Sequence, residues 1–67
     1  MSLANSTISA DDLRAAIARS GVPAYVIGAR ARVNPIRLSK LLHRHLPLTE
    51  DLAVRILLAV QEEEAAR

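Results

Sequence analysis

Apolar positions recur along this chain at helical spacing, in four stretches separated by turn-forming residues. Ser9 opens the first as a candidate cap. Asp12, three residues on, is placed to reach back in a capping box, and Ile8 and Leu13 are set as a hydrophobic staple across it. Leu13, Ala16 and Ile17 then form one apolar stripe, and Gly21 stops the helix because it adopts a left-handed conformation without a Cβ penalty. Pro23 suits the first turn of a second helix, where its missing N–H has no partner to lose. Ala24, Ile27, Gly28 and Ala31 make the expected inward side of that helix, small enough for another helix to come close. Tyr25, Ala29 and Arg32 are expected to point outward.

Asn34 followed by Pro35 reads as a cap and a first helical position, opening a third helix. Leu38, Leu41 and Leu42 fall on one face and are expected to bury, whereas the face centred on Lys40 carries Ile36, Arg37, Ser39, His43 and Arg44. Pro47 is the expected end of this helix. Thr49 caps a fourth and longest helix, with Glu50 and Asp51 in the first turn where the helix dipole favours anions. Leu52, Ala53, Ile56, Leu57, Ala59 and Val60 form its core stripe. Val54 and Leu58 lie beside that stripe, one turn apart, where a four-helix body leaves them uncovered. The pattern predicts an all-α fold: a small four-helix bundle whose last helix is long. Residues 8–64 form its single domain, after a polar segment 1–7 expected to be disordered and before a frayed end at 65–67.

Composition narrows the chemistry. A chain of 67 residues supports one domain with a small core. Cysteine is absent, which excludes disulfides and thiolate metal sites. His43 and His45 stand two apart and point to different sides of a helix, so no metal site or cofactor is expected. Tyr25 is the one aromatic residue, which argues against a stacking platform for single-stranded nucleic acid. No histidine–carboxylate pair lies at helical spacing, no glycine-rich phosphate loop is present, and the volume for a substrate cleft is lacking. Neither an enzyme nor a small-molecule ligand is expected. The chain has no long apolar run and no signal-peptide pattern, so it is expected to be cytoplasmic and to avoid membranes.

Charge adds a second signal. All acidic residues lie outside 13–49, while Arg14, Arg19, Arg30, Arg32, Arg37, Lys40 and Arg44 lie inside it, expected to have no acid to neutralise them. A basic centre with acidic ends is the electrostatic footprint of a phosphate-binding surface. The same pattern also fits a solvated basic face with acids set at helix N-termini for the dipole.

The stretch AYVIGARARVNPIRLSKLLHR, residues 24–44, resembles the helix-turn-helix of the phage lambda repressor/Cro-like family, also called the XRE family. Ile27–Gly28 supply its apolar-then-small pair in the first motif helix, Val33 its apolar turn residue, and Asn34 its cap. Leu38 and Leu41 supply the two positions that seat the recognition helix, and LPLTEDLAVRILLAV is similar to the family's fourth helix. Three departures stand out. Arg32 occupies the turn position usually filled by glycine, Ala24 stands where glutamine is common, and no chain is left for a fifth helix.

The resemblance implies a sequence-specific regulator of double-stranded DNA, a repressor by expectation, binding an inverted repeat as a homodimer. Pro35, Ile36, Arg37 and Lys40 are the implied base contacts; Tyr25, Arg32, Asn34, Ser39, His43 and Arg44 are the phosphate candidates. Val54 and Leu58 are the candidate dimer or partner interface. A second class of function uses the same scaffold as a helical protein-interaction module, an antirepressor or adaptor, with Ile36, Val54 and Leu58 as partner anchors.

Overall fold

The computed structural model describes residues 8–66, which form four helices and, among the described residues, no strand: α1 (Ala10–Ser20), α2 (Ala24–Ala31), α3 (Pro35–Leu42) and α4 (Glu50–Ala65). The expected disorder of residues 1–7 and the place of Arg67 in the frayed end lie outside the described residues. The all-α four-helix architecture with a long last helix is as expected. α4 runs one residue past the domain end expected at Glu64, with Ala66 as its C-cap.

Each start signal is used locally. Ser9 Oγ accepts from the Asp12 N–H at 3.1 Å and Asp12 Oδ2 accepts from the Ser9 N–H at 3.0 Å, so the capping box is complete. Asn34 Oδ1 accepts from the Ile36 N–H at 2.8 Å, and Thr49 Oγ1 from the Leu52 N–H at 3.2 Å. Gly21 closes α1 in the left-handed region, φ 72°. Pro23 stands one place earlier than expected, at the N-cap of α2 rather than inside its first turn.

The inward faces meet in one core of Leu13, Ile17, Ile27, Leu38, Leu41, Ile56 and Val60, with small alanines between them. α4 packs against α1 and α2, and α3 packs against the same two helices. Burying each large aliphatic side chain stabilises the fold by about 1.5–3 kcal/mol, so a handful of leucines and isoleucines decides whether this short chain folds. Ala24 is a correction: expected inward, it is exposed, because it is the first helical residue and the core begins a turn later at Ile27. Leu57, expected in the core stripe, is half-buried at its margin. Val22, which no periodicity marks, is buried in the α1–α2 turn and donates its N–H to Ser20 Oγ at 3.0 Å.

The end of α3 is a second correction. The helix stops at Leu42, well before Pro47, and Arg44 takes a left-handed conformation at φ 66°. The His45 N–H donates to the Lys40 carbonyl at 2.8 Å and the Arg44 N–H to the Leu41 carbonyl at 3.3 Å, the paired bonds of a Schellman motif. No helix among the described residues is long and apolar enough to cross a membrane.

Candidate nucleic-acid interface

α3 is two-sided. Leu38, Leu41 and Leu42 are buried on the core, while Pro35, Ile36, Arg37, Ser39 and Lys40 are all exposed. Ile36 is 69% exposed although it is a large aliphatic residue. The helix is aimed by the turn before it. Arg32 ends α2 at φ 62°, its N–H donating to the Ala29 carbonyl at 3.2 Å, and the Val33 N–H donates to the Gly28 carbonyl at 2.8 Å. This too is a Schellman motif, with arginine where glycine is favoured. Val33 is buried beneath it.

Gly28 fixes the approach of α3 to α2. A Cβ at this position would stand 2.9 Å from the Val33 carbonyl oxygen and 3.2 Å from Leu38 Cδ2, so only glycine lets both corner and helix sit where they do. The α2–α3 pair therefore has a backbone-determined angle, and α3 presents its basic face without a covering helix.

Five of the six phosphate candidates fall into three groups. Tyr25, Ser39 and His43 come together along a groove of about 280 Å³ between the start of α2 and the outer side of α3, with Pro35 on its wall. Asn34 sits exposed at the head of α3, where its Oδ1 is committed to the helix cap and its amide nitrogen keeps its donors. Arg32 lies elsewhere, lining a groove with Arg55 and Leu58 on the α4 side.

Arg44 differs most from expectation. It lies beyond the end of α3, and its guanidinium is paired with Asp11 at 2.6 Å. Asp11 pairs with Arg14 as well. Arg30 is paired with Glu62 and Glu63, and the hydrogen bond to Glu63 holds its guanidinium protonated above its ordinary range. The expectation that no acid neutralises the basic centre is thus corrected: folding brings acids from both ends onto Arg14, Arg30 and Arg44. Among the described residues, Arg19, Arg32, Arg37 and Lys40 have no carboxylate within ion-pair distance. Two of these, Arg37 and Lys40, lie on the outer face of α3.

One cation escaped the sequence reading. Arg55 on α4 donates to the Ala31 carbonyl at 2.8 Å, satisfying an acceptor at the end of α2 that the helix leaves open. No local signal in the sequence announces it, because the acceptor lies 24 residues away on another helix. Val54 and Leu58 are 40% and 50% exposed, uncovered as expected. Comparison with protein-family models, with curated proteins and with solved structures finds no match to this chain.

Proposed function

We propose that this protein is a sequence-specific double-stranded DNA-binding transcriptional regulator of the phage or bacterial repressor type, acting as a homodimer on an inverted repeat. The observation that carries the reading is the two-sidedness of α3, with leucines sealed on the core and Ile36, Arg37 and Lys40 together in solvent. A helix about 10–12 Å across fits a major groove about 12 Å wide. In that reading Arg37, near the helix N-terminus, donates two bonds to guanine O6 and N7, and Ile36 packs on a thymine methyl. Pro35 and Lys40 complete the base-facing edge. Tyr25, Ser39 and His43 meet one phosphate strand along their shared groove, Asn34 reaches a phosphate at the head of α3, and Arg32, on the α4 side, reaches one apart from these. Arg44 joins them by exchanging Asp11 for a phosphate, a near-neutral exchange because an exposed ion pair contributes only about 0–1 kcal/mol.

The test is binding to random duplex at low and moderate salt, followed by selection of bound fragments from a random pool. Expected are a steep loss of affinity with salt and a selected inverted repeat with half-sites about 34 Å apart. Arg37→Ala should cost about 1–3 kcal/mol on the selected site and relax preference at one base pair. Failure to bind any duplex at low salt overturns the reading.

A second reading, the protein-interaction module, is favoured by the ion pairs of Arg30 and Arg44, which remove cations from the basic centre. It predicts no duplex binding at low salt, with Ile36 serving as a partner anchor instead.

A further inference from the structure

At about 100° per residue, Leu58 sets the outward direction of α4, and Asp51, Val54, Arg55, Gln61, Glu62 and Ala65 fall within about 60° of it. All of these residues are exposed, so the helix wheel and the fold agree on one open face. Its middle is apolar, Val54 and Leu58, and its charges are not evenly spread. Arg55 lies three residues before Leu58, and Glu62 four residues after it on the same side of the stripe.

We infer that this face pairs with α4 of a second copy, antiparallel, with the two-fold axis passing beside Leu58. The inference rests only on the homodimer part of the proposed function and not on what α3 binds. In an antiparallel pair, a residue before the axis meets one after it from the other copy, on the same side of the seam. Leu58 then meets Leu58, Val54 lies over Gln61, Asp51 faces Ala65, and Arg55 meets Glu62 of the second copy, twice by symmetry. A parallel pair would stack residues at equal height, seven residues from Arg55 to Glu62, and so leave Glu62 with no Arg55 opposite it. Charge therefore selects the antiparallel arrangement.

The ion pairs within one copy leave both partners available. Arg30 has Glu63 through its Nε, and its contact with Glu62 is the longer one at 3.4 Å, so Glu62 is the spare carboxylate. Arg55 is steadied by one bond from its Nη2 to the Ala31 carbonyl, which holds the guanidinium beside Leu58 with its other donors unspent. The seam is small, so the dimer belongs in the micromolar range rather than the nanomolar.

The test is sedimentation equilibrium of the full chain without DNA at low salt, with helical content and melting recorded for each variant. Leu58→Asp, at a half-exposed position, should leave the monomer folded and abolish association. Arg55→Glu and Glu62→Arg should each weaken it roughly tenfold, by turning two attractions into two repulsions, and the double variant R55E/E62R should recover most of the loss. A parent chain that stays monomeric into the millimolar range overturns the inference. So does a dimer that is indifferent to Leu58→Asp, or single charge variants that change nothing, as a parallel pair would give. Because DNA is absent, failure here leaves the reading of α3 untouched, and failure of duplex binding leaves this one untouched.

Discussion

Before α3 the left-handed residue is Arg32, φ 62°, and after α3 it is Arg44, φ 66°. Both close a helix with the same pair of backbone bonds, and both place arginine where glycine is favoured. What holds them differs. The first corner is locked from beneath: Val33 is buried, and a Cβ added at Gly28 would stand 2.9 Å from the Val33 carbonyl oxygen, closer than real Cβ atoms come, with Leu38 Cδ2 at 3.2 Å. The second is held from outside, by the exposed Arg44–Asp11 pair reaching to α1. Packing is indifferent to salt and intolerant of an added methyl group, whereas an exposed ion pair is the reverse. The angle of α3 is thus set at its head; Leu41 and Leu42 seat its tail on the core, and it is the corner beyond them that an exposed ion pair ties to α1.

The largest effects are expected at the first corner. Leu38→Ala removes a side chain that is 1% exposed and wedged against Gly28, and should cost about 2–5 kcal/mol in urea unfolding. Gly28→Ala comes next. Overpacking of about 1–3 kcal/mol outweighs the 0.5–1 kcal/mol or so that alanine gains inside a helix, because the atom met is a backbone oxygen. That oxygen cannot retreat without straining the bond from the Val33 N–H to the Gly28 carbonyl. A Gly28→Ala variant as stable as the parent would show that the corner yields, and the contrast between the two ends would fail.

Replacing the left-handed arginines tests the shared feature. A non-glycine residue in this region costs about 1–2 kcal/mol, and glycine returns part of that through its freer unfolded chain. Arg32→Gly should therefore stabilise by about 0.5–1 kcal/mol, a rise of several degrees in thermal unfolding. Arg44→Gly should gain less, since it also loses the tether to Asp11. In the proposed function both variants bind duplex more weakly with a shallower salt slope, so stability and affinity move in opposite directions.

Much of the fold was legible because its signals are local. Ser9 with Asp12, Asn34 with Pro35, and Thr49 each announce a helix start within four residues, and the leucines of α3 show their face through spacing alone. The end of α3 was not legible. Pro47 is a strong stop signal, but Arg44 turns the chain first in a conformation that composition predicts for glycine or asparagine. Val22 has no periodic neighbours, so its burial depends on how α1 and α2 cross. At the candidate site, the exposure of Ile36, Arg37 and Lys40 followed from the helix wheel. The grouping of Tyr25, Ser39 and His43 and the separation of Arg32 depend on the angle between α2 and α3. The ion pairs of Arg30 and Arg44 join residues 32 or 33 apart in sequence, and charge counting along the chain cannot see them, whereas Asp11 and Arg14, three apart, are neighbours on one helix.

The smallest effect is expected at the second corner and is the most diagnostic in sign. Asp11→Asn removes the carboxylate shared by Arg14 and Arg44 and weakens the match to the α1 dipole. The loss should be at most about 0.5 kcal/mol at low salt and should vanish near 1 M, where screening reaches about 3 Å. The cost of Gly28→Ala, measured alongside, should not change with salt. The same Asp11→Asn substitution releases Arg44, so in the proposed function it raises affinity for random duplex and steepens the salt dependence by about one unit. A variant less stable yet tighter on DNA is what a tether competing with phosphate produces. If affinity stays level while stability drops, Arg44 serves only to tie α3 to α1.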